Sequence, residues 1–284
     1  MTAERLRRIR ESIILLIGAV LSGCSPAQLV NALVPRDDFS LVADQPYGAL
    51  ARQKLDIYTP VATQGARPVV IFFYGGNWQN GRKGDYLFVG QALASRGFIV
   101  VIPDYRLYPE VRYPGFLVDG AAAVSWTLAH LHEIGGDPTR VTLMGHSAGA
   151  YIAAMLALDP RWLGSDRERL RGVVGLAGPY DFLPLTDPVL QVIFGTEADI
   201  AQTQPITFAD GSAPAFLAVS GLADDTVRPE NSMRLAARIR ERGGVAVEKY
   251  YRGVGHIGVI AAIAAPLRFY APTLGDLITF TERE

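Results

Sequence analysis

From Lys54 onward, short apolar runs alternate with longer amphipathic stretches, and few architectures accept that order. A run such as Val69-Val70-Ile71-Phe72-Phe73-Tyr74 shows no polar alternation, so both of its faces need burial, as in a parallel sheet covered by helices on each side. Strands are predicted near 54–58, 69–74, 98–102, 141–145, 172–176, 215–220 and 246–251. Helices are predicted at 84–96, 117–134, 148–158, 230–242 and as a C-terminal pair after 257, with Gly, Pro and Asp marking the changes of period. The expected fold class is therefore α/β, a mainly parallel central sheet with helices on both faces. No tandem repeat interrupts it, so residues 47–284 are expected to form one domain. The irregular stretch 178–213, rich in Pro, Thr and Asp, is too long for a simple connection and is expected to form a lid or pocket wall.

Composition narrows the function classes. With 49% hydrophobic and 19% charged residues over 284 positions, the chain can bury a large core. Lys and Arg number 27 against 28 Asp and Glu, a net charge of −1 that gives no electrostatic reason for a nucleic-acid partner. One cysteine excludes an intramolecular disulfide and a multi-thiolate metal site, and His130, His132, His146 and His256 contain no pair at metalloprotease spacing. Neither a metal nor another cofactor is expected.

The first residues read as a targeting segment. Arg5, Arg7, Arg8 and Arg10 precede the apolar Ile13–Leu21, and Leu21-Ser22-Gly23-Cys24 follows. The apolar run is about half the ~20 residues of a membrane-spanning helix. Leu-Ser-Gly-Cys resembles the lipobox of bacterial lipoproteins, which implies removal of residues 1–23, lipidation of Cys24 and a membrane anchor in the bacterial cell envelope, at the outer membrane or facing the periplasm. The alternative is an ordinary secretory signal with an incidental cysteine. Residues 24–46 lack a sustained helical or strand period and are expected to be a lipidated tether.

Gly145-His146-Ser147-Ala148-Gly149 sits between the apolar run Val141-Thr142-Leu143-Met144 and a small-residue helix, the strand–turn–helix context of a nucleophile elbow. Glycine is needed on both flanks because a β-carbon there would collide with neighbouring backbone. Among the histidines, His256 alone lies in a loop after a late strand, which makes it the candidate base for Ser147. His130 and His132 fall at a helix end, where they suit carbonyl capping. His146 is expected to point to a different side of the elbow. The acid should lie between serine and histidine in the chain, and Gly221-Leu222-Ala223-Asp224-Asp225 follows a buried strand. Asp224 is preferred, with Asp225 a solvated turn residue and Asp181 a weaker candidate. Backbone amides for a developing oxyanion are expected from Ala148 and, in Tyr74-Gly75-Gly76-Asn77-Trp78, from Gly76 and Asn77.

Taken together these residues resemble the esterase and lipase branch of the α/β-hydrolase superfamily, particularly the hormone-sensitive-lipase-like and feruloyl-esterase-like carboxylesterases, over about Gln53 to His256. Asp104-Tyr105-Arg106-Leu107-Tyr108-Pro109-Glu110 and Gly135-Gly136-Asp137-Pro138 are further similarities and read as scaffold. Where that branch commonly has His-Gly-Gly-Gly-Trp, this chain has Tyr74 and Asn77 in place of the histidine and the third glycine. Asn tolerates a positive φ, whereas Tyr74 cannot make an imidazole's hydrogen bonds. The resemblance implies cleavage of a small-molecule carboxylic ester through an acyl-enzyme, without a cofactor. Amide hydrolysis of the arylformamidase kind and a catalytically silent binding protein on the same scaffold are the alternatives. The 178–213 segment leads to an expected preference for short or aromatic acyl groups.

Overall fold

A topological switch at the centre of the sheet organises this molecule. The computed structural model describes residues 26–61 and 65–282. Eight strands, β1 (Phe39–Pro46), β2 (Lys54–Pro60), β3 (Arg67–Phe73), β4 (Ile99–Pro103), β5 (Gly136–His146), β6 (Leu170–Leu176), β7 (Ala215–Gly221) and β8 (Ala246–Tyr251), are ordered β1-β2-β4-β3-β5-β6-β7-β8. The pairs β1/β2 and β2/β4 are antiparallel and all others are parallel. The chain steps outward from β3 to β4, crosses back to β5 and continues to the other edge. That reversal leaves a crevice at the carboxyl ends of β3 and β5, where doubly wound sheets place their ligands.

The continuous apolar runs are buried as expected: Val69 to Phe73 and Ile99 to Ile102 are at most 1% exposed. Helices α1 (Pro26–Ala32), α2 (Leu87–Ala94), α3 (Gly115–Ala129), α4 (Ala148–Leu158), α5 (Pro188–Phe194), α6 (Glu230–Glu241), α7 (His256–Ala261) and α8 (Thr273–Thr281) supply the cover. All eleven residues of α4 are buried, so its composition of Ala, Ile, Leu, Met and Tyr needs no polar face. By contrast α6 carries Arg234, Arg238 and Glu241 outward while Leu235 and Ile239 face in.

The expected tether over 24–46 is corrected for its described part. Residues 39–46 are the edge strand, and α1 is fastened to the body through Asn31, whose amide donates to the carbonyls of Gly84 and Asp85 at 3.0 and 3.1 Å and accepts from Phe88 N at 3.1 Å. The strand carries no apolar alternation because only Phe39 is buried, packed on Tyr58; its pairing is made by backbone. Residues 1–23 and Cys24, read as leader and lipidation point, lie outside the described residues.

Candidate active site

Ser147 stands between β5 and α4 at φ 54°, ψ −123°, a conformation that lifts its side chain clear of the sheet. The flanking glycines meet the predicted constraint: a β-carbon at Gly145 would lie 2.2 Å from the Gly149 carbonyl oxygen, and one at Gly149 would lie 2.0 Å from that of Phe73 on β3. The Ser147 amide donates to the Leu176 carbonyl at 2.9 Å, tying the turn to β6.

The structure brings the three predicted residues into one chain of contacts. His256, the first residue of α7, places Nε2 at 2.9 Å from Ser147 Oγ and Nδ1 at 2.8 Å from Asp224 Oδ2. The second oxygen of Asp224 accepts from the amides of Thr226 and Val227 at 3.0 and 2.9 Å, so the tight turn after β7 orients the carboxylate, whose side chain is fully buried. Asp225 is exposed. Asp181 is held by Arg234 at 2.6 Å rather than by His256, and its own amide donates to Asn231 Oδ1. His130 Nδ1 lies 2.7 Å from the Trp126 carbonyl with its ring stacked on Trp126, the capping arrangement expected for it.

The loop after β3 runs over the serine. A β-carbon on Gly75 would come within 2.9 Å of Ser147 Cβ, so this position requires glycine. Gly76 and Asn77 adopt φ of 135° and 53°, and the Gly76 carbonyl accepts from the amides of Gln79 and Asn80. The Gly75 backbone is engaged by the Tyr86 hydroxyl, whose pKa burial pushes up to about 12. Among the described residues, the amides of Gly76, Asn77 and Ala148 donate to no backbone carbonyl.

Tyr74 replaces the imidazole with a different support. Its ring is sandwiched between Tyr105 and Tyr86 at centroid distances of 4.7 and 5.7 Å. Its hydroxyl donates to Asp104 at 2.8 Å and accepts from Arg52 at 3.0 Å, while Tyr105 donates its own hydroxyl to the Tyr74 carbonyl at 2.6 Å. Arg52 also donates to the carbonyls of Tyr105 and Gly81, and Lys83 N donates to Asp104 at 2.8 Å. Burial holds the Tyr74 phenol protonated far above the usual tyrosine range, which keeps it a donor; burial also raises the Asp104 carboxyl, an effect opposed by the bonds from Lys83 N and Tyr74 and by the Arg52 charge. Arg52 and Tyr86 were not legible as support residues, since they come from distant segments. Tyr74→Phe is expected to cost about 1–3 kcal/mol by leaving buried partners unpaired. If the network positions the loop, kcat should fall about tenfold with KM nearly unchanged. Parallel thermal melts and ester kinetics check this; an unchanged kcat would show that the loop does not depend on the hydroxyl.

The expected orientation of His146 is corrected. Its Nε2 lies 3.1 Å from the His256 carbonyl and its ring 4.9 Å from that of His256, so it faces the loop carrying the base. Position on β5 gives a side chain's direction but not which distant loop covers it. Because a carbonyl only accepts, Nε2 carries the proton, and Nδ1 is buried without a partner among the described residues. Burial, then the nearby His256, lowers the His146 pKa to about 3. The folded protein keeps this ring neutral, whereas the unfolded chain binds a proton below pH 6.5. Stability from this group is therefore complete above pH 6.5 and declines as pH falls toward 3, by roughly 2 kcal/mol between pH 7 and pH 5. Urea unfolding of His146→Gln beside the parent should show the smaller acid loss in the variant; equal losses would contradict the assignment.

No group of three or more His, Cys, Asp or Glu placed to hold a metal occurs among the described residues. Among solved structures, the chain aligns with an esterase B from Lactobacillus rhamnosis at TM-score 0.78, 18% identity, covering 97% of this chain and 96% of that one. A truncated carbohydrate esterase from gut microbiota aligns at TM-score 0.76, 20% identity, covering 88% and 100%. Both share the α/β-hydrolase fold seen here. In sequence, it is 29% identical over 238 residues to a probable isoprenylcysteine alpha-carbonyl methylesterase of Arabidopsis thaliana, covering 74% of this chain and 49% of that protein. It is 30% identical over 227 residues to the probable carboxylic ester hydrolase LipM of Mycobacterium tuberculosis, covering 72% and 53%. The chain thus spans about half the length of these curated relatives. The BD-FAE family profile matches residues 55–239, from β2 through the elbow to α6, and the chain belongs to the BD-FAE family.

Proposed function

We propose that this protein is a serine hydrolase that cleaves small-molecule carboxylic esters through an acyl-enzyme. The observation that carries this is the unbroken contact series from Ser147 Oγ through His256 to the buried Asp224. Its relatives named as a methylesterase and a carboxylic ester hydrolase support the same chemistry.

The geometry supports the following steps. Ser147 Oγ attacks the ester carbonyl while its proton passes to His256 Nε2. Asp224 holds Nδ1–H and stabilises the imidazolium. The tetrahedral oxygen is received by the amides of Gly76, Asn77 and Ala148, which make no backbone hydrogen bonds of their own. Collapse expels the alcohol, protonated by His256, and leaves the acyl group on Ser147; water activated by the same imidazole then releases the acid. The test is a panel of p-nitrophenyl esters beside an N-formyl-arylamine. Ester turnover with little formamide cleavage is expected. Preferential formamide cleavage would favour an arylformamidase-like amide hydrolase, and turnover of neither would favour a silent binding protein.

The start of the chain carries a second part of the proposal. Leu21-Ser22-Gly23-Cys24 supports lipidation of Cys24 and an anchor in the bacterial cell envelope. Mass spectrometry of the N-terminal peptide should find acyl mass on Cys24. An unmodified peptide starting elsewhere would overturn it.

A further inference from the structure

Two aromatic residues of the stretch expected to form a lid or pocket wall pack inward against the glycine loop. Phe182 and Phe194 of the 178–213 stretch pack against Trp78 of the glycine loop at 6.2 and 4.9 Å between ring centroids, with Tyr151 of α4 closing the cluster at 5.2 Å. The stretch also walls a hollow of its own of about 580 Å³, with Leu183, Leu185 and Ile200 among its lining residues. A cavity of about 690 Å³ is bounded by α1, the glycine loop, the turn before α2, α7 and the stretch that follows it; no residue of 178–213 lines it. Buried Gly75 and His146 contribute to its floor, and Gly75 is the residue that lies against Ser147. Leu33, Ile257 and Tyr270, respectively 46%, 65% and 48% exposed, stand on its rim. Apart from Asn80 and Asp85, the remaining walls are glycine, aliphatic or aromatic, and no Lys or Arg is among them.

We infer that this groove takes the acyl chain of the ester, and that the preferred substrates are esters of unbranched fatty acids. The inference rests on the ester-hydrolysis reading and deepens it. A methylene takes up about as much volume as a water molecule, ~30 Å³, so half of this groove accommodates a chain of roughly ten carbons. A wall without cations offers nothing to an anionic headgroup and much to a neutral tail. With the carbonyl oxygen at the Gly76 and Asn77 amides, the substituent on the carbonyl carbon continues along the same loop into the groove. Exposed apolar side chains at the mouth serve a substrate that enters tail first. This differs from the expected preference for short or aromatic acyl groups, and the ester series below decides between them. That expectation rested on 178–213 as the pocket wall; the 690 Å³ groove is instead walled in part by α1, which lies in the stretch whose composition reads as a tether.

The experiment has a kinetic and a binding arm. With p-nitrophenyl acetate, butyrate, octanoate and decanoate below their micellar concentrations, kcat/KM should climb by up to about fourfold per methylene, the equivalent of ~0.8 kcal/mol, giving decanoate at least a tenfold advantage over acetate. Ala27→Trp and Ala261→Trp, which fill the groove from opposite walls, should each lower the decanoate-to-acetate ratio at least tenfold. Val118→Ser, which removes an exposed apolar side chain elsewhere, should leave the ratio unchanged. In the binding arm, a fluorescent decyl ether, which cannot be hydrolysed, should bind the parent protein and bind Ala27→Trp at least tenfold more weakly. Acetate turned over as well as decanoate, or ether binding indifferent to both tryptophans, would overturn the groove assignment while leaving ester hydrolysis intact. Ether binding that responds to the tryptophans, with no ester of any length cleaved, would instead support the groove and overturn the hydrolase reading.

Discussion

Ser147→Ala is expected to lower kcat on an activated ester by about a millionfold, the scale of loss when the nucleophile of a Ser-His-Asp site is removed. The fold should barely register the change. Ser147 contributes to the turn through its backbone, with its amide on the Leu176 carbonyl and its own carbonyl accepting from Tyr151 N, and alanine keeps both bonds. The strained φ of 54° is common to the two residues, so its cost cancels in the comparison. Far-UV circular dichroism and melting temperature should match the parent while turnover disappears. Residual activity within a hundredfold of the parent would mean that the nucleophile is another group.

The second large effect separates two adjacent carboxylates. Asp224→Asn should reduce kcat by about 10⁴, because an amide cannot stabilise the imidazolium and can hold His256 in the wrong tautomer. Thr226 N and Val227 N can still donate to the asparagine Oδ1, so the turn itself should persist. Asp225→Asn should change kcat by less than tenfold, since an exposed charge contributes little to a site it does not touch. Steady-state kinetics of the two variants decide the matter. The reverse ranking would place the acid at Asp225, and activity in both would make Asp181 the next position to test.

Why some of this was legible and some was not follows from how local each determinant is. The elbow and α4 could be read to the residue, because Gly145, Gly149 and the small side chains between 148 and 158 answer constraints set within a few positions of chain. The inner strands were equally plain, since burial on both faces leaves no polar position to confuse the pattern. Asp224 could be placed from chain order and its position three residues after Gly221 at the end of a buried strand; the turn's own amides then satisfy one carboxylate oxygen and leave the other for His256. Strand β1 escaped for the opposite reason: it is held by backbone pairing at an exposed edge, and its side chains record almost nothing of that. The support of Tyr74 is assembled from Arg52, Asp104, Tyr105 and Tyr86, residues whose proximity depends on the crossing of β3 and β4. A motif comparison registers only that histidine is absent; the packed rings and buried bonds that replace it exist only in three dimensions. His146 likewise gained its partner from a loop more than a hundred residues away.

Pre-steady-state mixing of the protein with p-nitrophenyl butyrate, followed by acid quench and peptide mapping, tests the acyl-enzyme route most directly. A burst of nitrophenol approaching one equivalent per active site, with the butyryl group on the peptide containing Ser147 and neither signal in Ser147→Ala, is the expected result. Hydrolysis without an acyl adduct, or an adduct that persists in Ser147→Ala, would contradict it.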